Sequence, residues 1–281
     1  MTEITAEDRL QAEILGLKEG MANRPKAPRI LRIGIAGPRA LNEQQLSSGL
    51  LALCNVLLTI STELGSYIQN KQTAQKHDDL KQSQVLTLRL TSSLAIGADR
   101  LAMTGEVSSC LQGKAKLEYA AVLPFLLQDC KKGMYEASRT KIENEIDWLA
   151  LNTFIEQIKR QAEGNLIELE GDTRSAETRD EAHFKCAELL VKNIDVLIVL
   201  TTEGKSQLPS HHLAGTNTTL RLAQDSGRPI IQIVLPLEEK EAECRIYPGS
   251  RYTLPEESEI LSIDKVKRLL SRLMPLGKSG Y

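Results

Sequence analysis

The chain of 281 residues carries 35 Lys plus Arg against 37 Asp plus Glu, and its net charge of −2 excludes bulk attraction to polyanions as the default basis of function. A chain of roughly this length buries about three quarters of its unfolded surface without covalent staples. Its cysteines, Cys54, Cys110, Cys130, Cys186 and Cys244, are scattered with no C-x-x-C pair, which fits reduced thiols in the cytoplasm better than a disulfide framework or a zinc site.

Residues 1–28 carry one amphipathic segment, with Leu10, Ile14 and Leu17 on one side, ahead of Pro25 and Pro28. It predicts an N-terminal helical extension to a single domain over 29–281. Met1 to Leu10 has acids where a signal sequence has an apolar stretch. Ile30 to Ala36 is the first β-rich run, closed by Gly37, Pro38 and Arg39. Asn42 and Gln45 then fit a capping box, and Leu46, Leu50, Leu53, Leu57, Ile60, Leu64 and Ile68 follow at helical steps, so a long helix is expected. Its most apolar part, Leu50 to Ile60, is interrupted by Asn55 and Thr59 and falls short of the roughly 20 residues that span a bilayer, so no membrane insertion is expected.

Gln69 to Gln84 has no periodicity and reads as an exposed loop before the second run, Val85 to Leu90. The third run, Leu117 to Leu123, ends at Pro124. From Tyr135 to Ala162 the spacing is helical with a break near Asn152, which leaves one helix or two open. Asn165 to Leu169 fits a short strand, Thr178 to Asn193 an amphipathic helix, and Val196 to Leu200, the most apolar run, a central strand. A helical pattern from Thr216 to Ser226 is closed by Gly227 as a C-cap, and Pro229 to Val234 is the sixth run. After Pro236 the pattern lapses until a final helix, Ile263 to Met274. Strand runs alternating with helical patterns predict an α/β, Rossmann-like doubly wound fold, a mostly parallel sheet with helices on both faces.

Ligands of such sheets bind outside the carboxyl ends of the strands, where loops enter helices and backbone N–H groups can face an anion. After the first strand, Gly34 and Gly37 do not follow the G-x-G-x-x-G order and no acidic ribose partner follows, so the dinucleotide fingerprint is absent. Arg39 has the donor fork for a phosphate, and a helix-capping surface role is the equal alternative. In the second loop, Gly97 permits a tight approach before a helix starting near Ala98. Asp99 is explained by helix-start electrostatics, whereas Arg100 is uncomfortable in a first turn unless it meets a carboxylate or phosphate. Gly215 and Thr216 can serve a phosphate or form a plain N-cap. His211 and His212 have no placed co-ligand, His183 on an amphipathic helix reads as packed rather than catalytic, and no cysteine sits in a nucleophile motif, so no metal, cofactor or catalytic residue is nominated.

GPR after the first strand, LTSSLAIGADRLA after the second, AVLPF at the third, NIDVLIVL, and GTNTTLRLAQDSGRPIIQIV together form a pattern over Ile30 to Leu235. It resembles the SLOG superfamily. That Rossmann-like group includes the DNA-processing protein of natural transformation, the LOG cytokinin-activating phosphoribohydrolases and nucleotide-sensing domains of bacterial anti-phage systems. The resemblance implies a nucleotide or NAD-derived ligand at the strand carboxyl ends, facing Gly37, Arg39, Ser92, Ser93, Gly97, Asp99, Arg100, Pro124, Gly215 and Thr216.

One departure matters for chemistry. LOG-type enzymes carry a GGxGTxxE segment whose glutamate serves N-glycosidic cleavage, whereas here Ala214 precedes Gly215, and Thr218 and Thr219 stand at the nearby candidate positions. A neutral hydroxyl neither stabilises an oxocarbenium-like transition state nor acts as a base near pH 7. The expectation is therefore a cytoplasmic, non-catalytic sensor of an ADP-ribose-like or cyclic ADP-ribose-like ligand in bacterial defence or stress signalling, acting as a homo-oligomer or through a separate effector protein. The alternative is a nucleotide N-glycosidic-bond hydrolase using Asp99 or Glu203, with Arg39 or Arg100 as phosphate clamp. A third reading, a single-stranded DNA-binding protein, is disfavoured by the charge balance and by aromatics at only 4%.

Overall fold

A computed structural model describes residues 30–74, 86–134, 141–203, 215–237, 240–247 and 259–260. The chain runs β1 (Ile30–Ala36), α1 (Glu43–Ala74), β2 (Thr87–Ser92), α2 (Ala98–Leu101), α3 (Gly105–Cys110), β3 (Lys116–Leu123), α4 (Leu127–Met134) and α5 (Lys141–Gln161). It continues through a 3-10 turn at Glu163–Asn165, β4 (Leu166–Glu168), α6 (Ala176–Lys192), β5 (Val196–Thr202), α7 (Thr216–Asp225), β6 (Ile230–Leu235), β7 (Glu243–Tyr247) and β8 (Glu259–Ile260). The strands form one 8-stranded sheet in the order β4-β3-β2-β1-β5-β6-β7-β8. Strands β1 to β6 pair in parallel, and β7 and β8 add antiparallel at one edge. This is the doubly wound α/β architecture that the alternation of runs predicts.

Side-chain alternation along the strands sorts the helices into two layers. Leu31, Ile33 and Ile35 of β1, with Ile198 and Leu200 of β5, face Leu53, Val56, Leu57 and Ile60 of α1, and Ile155 and Ile158 of α5 join the same core. On the opposite face, Ala36 and the β5 residues Leu197 and Val199 pack on Cys186, Leu190 and Val191 of α6 and Ala223 of α7. Strand β5 is buried on both faces, so it reads as a continuous apolar run and sits beside β1 in the middle of the sheet. Asp195 fastens the two strands at their start: Arg32 N–H donates to its carboxylate at 2.8 Å, and Asp195 N–H donates to the Arg32 carbonyl at 2.8 Å.

Local chemistry sets the helix ends. Asn42 and Gln45 form the expected reciprocal cap, Gln45 N–H donating to Asn42 Oδ1 at 2.8 Å and Asn42 N–H to Gln45 Oε1 at 3.2 Å. Ser175 and Thr178 cap α6 in the same way. Helix α7 closes with Gly227 at positive φ; its N–H reaches the Gln224 carbonyl and Arg228 N–H the Ala223 carbonyl, a Schellman ending.

Several boundaries differ from the sequence reading, each for a physical reason. Strand β2 lies two residues further along than Val85 to Leu90, because Thr91 and Ser92 pair with Ala120 and Ala121 of β3. Helix α1 continues through 69–74, which the sequence reading had assigned to a loop, and 75–84 lie outside the described residues. Helix α5 passes Asn152 without a break, and α4 was missed because its apolar residues are too few to show a period. Strands β7 and β8 were also missed: they are short edge strands in an acidic stretch, and β7 buries Ile246 alone. The N-terminal extension, His211, His212 and the helix expected at Ile263 to Met274 lie outside the described residues.

Helix α1 corrects the membrane argument as well. By length and composition its segment Glu43–Ser66 is long and apolar enough to cross a bilayer, which the measure of Leu50 to Ile60 understated. Packing of Leu53, Val56, Leu57, Ile60 and Leu64 against the sheet accounts for that apolarity. Leu53→Ala, at a position 0% exposed, is expected to cost about 2–5 kcal/mol, and Leu51→Ala, at a position 64% exposed, less than about 0.5 kcal/mol. Urea denaturation of the two variants measures the difference.

Candidate functional site

The order of strands places a topological switch between β1 and β5: the chain leaves β1 over one face through α1 toward β2, and leaves β5 over the other through α7 toward β6. The crevice outside the carboxyl ends of two such strands is the ligand position of open α/β sheets. Here it is bordered by the β1 loop at Gly37, Pro38 and Arg39, the β2 loop at 93–97, and the start of α7.

The β1 and β2 loops are joined by one buried carboxylate. Asp99, 4% exposed at the start of α2, accepts Gly37 N–H on Oδ1 at 3.1 Å and the Ser93 hydroxyl on Oδ2 at 2.5 Å. Ala98 N–H donates to the Pro38 carbonyl at 3.1 Å. The approach is close enough that a Cβ on Gly97, which has φ +94, would collide with the Pro38 and Arg39 carbonyl oxygens, and one on Gly37 with Ala98 Cβ. Leu94 adopts φ 56, held by its N–H donating to Ser92 Oγ at 3.0 Å and by Arg100 Nε donating to its carbonyl at 3.0 Å. A leucine in left-handed backbone is costly and persists only where its surroundings over-determine it.

The two arginines of the predicted site separate. Arg100 turns inward: besides Leu94, its Nη1 donates to the backbone carbonyl of Asp147 on α5 at 3.3 Å and pairs with the Asp147 carboxylate at 3.4 Å. It supplies the partner that a cation in a helix's first turn requires, from within the fold. Arg39 is exposed at the tip of the pinned loop, and among the described residues its guanidinium has no hydrogen-bond or ion-pair partner.

Of the other predicted residues, Ser92 and Ser93 serve the loop internally through the bonds just described. Pro124 is buried at the end of β3, where Gly171 of the β4 loop packs so tightly that a Cβ would meet the Pro124 carbonyl oxygen. Gly215, at φ +106, starts α7 with no side-chain cap; Thr218 and Thr219 N–H groups both return to its carbonyl, and both residues are buried. Thr216 follows Gly215 as the first helical residue.

His183, read from the sequence as a packed rather than a catalytic histidine, is packed. It sits in the second turn of α6, edge-on to Phe125 of the β3 loop with ring centroids 5.4 Å apart, and its imidazole makes no hydrogen bond among the described residues. Burial, with the nearby charge of Arg39, pushes its pKa down to about 4, so it is neutral at pH 7. The one available signal was its place at the margin of the buried α6 stripe formed by Ala182, Cys186 and Leu190. A groove of about 540 Å³ runs along α6 toward the β4 edge and includes Pro124 but none of the other predicted residues. Its acids Glu181 and Glu188 are paired with Lys185 and Lys192, so it offers no free cation to an anion. Burial pushes the Cys54 and Cys186 thiols up to about 12 and Cys130 to about 11, which keeps all three protonated and poor as nucleophiles.

The fold and the rim thus define a Rossmann-like doubly wound α/β protein with a candidate anion site at its switch point. Comparison with protein-family models, with curated proteins and with solved structures gives no match to this chain.

The two titrating groups of the rim act in opposite directions. Burial raises the Asp99 carboxyl to about 6 against the lowering effects of Ser93, Gly37, Arg39 and Ala95. Because the unfolded value is about 3.9, its contribution to stability is fully present below about pH 4 and is lost as pH rises through 6, up to about 3 kcal/mol in all. His183, lowered in the folded state, contributes stability above about pH 6.5 that is lost as pH falls through 4. Urea denaturation between pH 7 and pH 5 should therefore show His183→Gln gaining stability on acidification relative to wild type, and Asp99→Asn losing it. Gly97→Ala is expected to lower stability by more than about 2 kcal/mol, since both φ and the contact with Pro38 oppose a side chain.

Proposed function

We propose that this chain is a cytoplasmic sensor that binds a nucleotide-derived or NAD-derived ligand, of ADP-ribose or cyclic ADP-ribose type, at the carboxyl-end rim, with Arg39 receiving a phosphate. The observation that carries this reading is Arg39 itself: a guanidinium without a partner among the described residues, on a loop that Asp99 pins, at the position where open α/β sheets take their ligands. A preorganised loop loses little freedom when it binds, so its free donors are available to the ligand. The uncapped start of α7 at Gly215 and Thr216 is compatible with a second phosphate contact.

The resemblance of the GPR, GADR and GTNTT segments to the SLOG pattern supports the ligand class and the role in bacterial defence or stress signalling. Output in this reading comes from self-association or from a separate effector, because a ligand shifts an equilibrium only by its difference in affinity for the two states. Exposed Ile146 and Leu149 on α5 and Leu51 on α1 are apolar positions for such contacts.

One observation favours the hydrolase as a second reading: a carboxyl titrating near 6 suits general acid–base work at neutral pH. Against it, both Asp99 oxygens are engaged by Gly37 and Ser93, and Thr218 and Thr219 leave the nearby motif positions without a carboxylate. Product formation from a nucleoside monophosphate that disappears in Asp99→Asn would establish that reading over the sensor.

The direct test is thermal melting against NAD, ADP-ribose, cyclic ADP-ribose isomers, AMP and cyclic dinucleotides. A ligand at about 100 times its Kd adds about 2.7 kcal/mol, or several degrees. The expected result is a shift with an NAD-derived ligand that Arg39→Ala abolishes while leaving the unliganded melting temperature within about a degree. Arg100→Ala should instead lower the unliganded melting temperature, because it frees Leu94 and Asp147. No shift with any member of the panel contradicts the proposal.

A further inference from the structure

The hydroxyl of Ser93 has its one proton committed. Its Oγ lies 2.5 Å from Asp99 Oδ2, the length of a hydrogen bond to an ionised carboxylate, and such a carboxylate only accepts, so the proton in that bond is the serine's. Asp99 cannot turn away to release it without giving up the β1 loop, because its Oδ1 holds the Gly37 N–H at 3.1 Å. Ser93 is half-buried, and among the described residues no other group bonds its Oγ. The neighbouring Ser92 differs: it is buried, and its Oγ accepts the Leu94 N–H at 3.0 Å. A serine oxygen carries two lone pairs besides its proton, so Ser93 is left to the rim as an acceptor alone. Contacts fix where that acceptor sits. One carboxylate holds Gly37 and Ser93 together, and the Arg39 carbonyl lies so close to Gly97, on the loop that carries Ser93, that a Cβ there would collide with it.

We infer that Ser93 recognises a ribose hydroxyl of the ligand, accepting a hydrogen bond from it beside the phosphate on Arg39, and makes no contact with the phosphate itself. The inference rests on the Arg39 reading and adds to it the group that is read next to the phosphate. A phosphate oxygen at Ser93 would set lone pair against lone pair with the Asp99 charge directly behind, and both oppose it. A hydroxyl proton meets instead an oxygen whose electron density the bond to Asp99 increases. Ribose supplies that donor in any nucleotide-derived ligand, one methylene from the phosphate, so two adjoining loops can take the pair. Asp99 is a positioning residue in this arrangement: it stays buried and sets the polarity of the serine.

The test is calorimetric titration of the full chain at pH 8, where Asp99, titrating at about 6, is ionised. The probes are ADP-ribose and analogues with each ribose hydroxyl in turn replaced by hydrogen or by fluorine. Fluorine keeps the lone pairs and lacks the proton, so it separates a hydroxyl that donates from one that accepts. At one hydroxyl, wild type should lose at least about tenfold in affinity with hydrogen and no less with fluorine. Ser93→Ala should bind ADP-ribose about as weakly as wild type binds that deoxy analogue, and should lose less than about threefold more on the same replacement. Asp99→Asn reverses the polarity: its amide oxygen still accepts the Gly37 N–H, its NH2 donates to Ser93 Oγ, and the freed serine proton should make the fluoro analogue bind more tightly than the deoxy one. The wild-type series needs no variant, and a fluoro analogue that binds more tightly than its deoxy counterpart at the discriminated hydroxyl overturns the inference. So does affinity within twofold for every analogue, or full discrimination in a Ser93→Ala protein that melts like wild type; the Arg39 reading then stands if Arg39→Ala abolishes binding. The hypoxanthine analogue of ADP-ribose lacks the adenine amino group, and a Ser93-dependent loss confined to it overturns the ribose assignment. Failure of wild type to bind ADP-ribose overturns this inference, and the ligand panel with Arg39→Ala then decides separately whether the Arg39 reading falls too.

Discussion

A single buried carboxylate organises the rim of this protein. Among the described residues Asp99 meets no cation within ion-pair distance, and its charge is balanced by the Gly37 N–H and the Ser93 hydroxyl. Those two donors come from two different loops, so satisfying the carboxylate also fixes the distance between the ends of β1 and β2. The glycines at 37 and 97 are required because this closure brings the backbones into contact. The left-handed Leu94 is a further consequence, stabilised by Ser92 on one side and Arg100 on the other. Removing the carboxylate would leave two part-buried donors, the Gly37 N–H and the Ser93 hydroxyl, without their acceptor, which is why its role is structural before it is anything else.

The same closure decides the fate of the two arginines. Arg100 begins a helix where the dipole disfavours a cation, and the fold answers with the Leu94 carbonyl and with Asp147 from α5. Arg39 lies beyond the closure on the exposed tip, where no described acid meets it. Two arginines that look alike as candidates from the sequence thus divide into a brace and an exposed donor with no partner among the described residues. Arg39 also lowers the pKa of both Asp99 and His183, so an anion placed on it would be felt by both groups at once.

Much of the fold was legible because sheet burial writes itself into apolar runs: Ile30 to Ala36, broken only by the exposed Arg32 and by Gly34, and the unbroken Val196 to Leu200 were placed as strands, the latter in the middle of the sheet. Capping chemistry was equally readable at Asn42, Gln45 and Gly227. Elements whose stability comes from tertiary partners were not. Thr91 and Ser92 are polar yet belong to β2 because β3 pairs with them, and β7 survives on the pairing of five alternating residues with β6. At the site, glycines and polar residues near strand ends could be nominated from their positions. What each side chain turns toward could not, because Asp147 lies 47 residues from Arg100 in sequence and Gly37 lies 62 from Asp99. That His183 packs was legible from its place on an amphipathic helix; that it packs on Phe125, 58 residues away in sequence, was not.

The central claim is a location: a phosphate-bearing ligand held where the Asp99-pinned β1 loop meets the start of α7. Amide chemical-shift mapping of the full chain during titration with ADP-ribose tests that location most directly. The account predicts the largest changes at Gly37, Arg39, Gly97 and Gly215 to Asn217. Changes confined to the groove along α6 toward the β4 edge, at Glu181, Lys185 and Glu188, would contradict it, as would saturation with no change at the β1 loop.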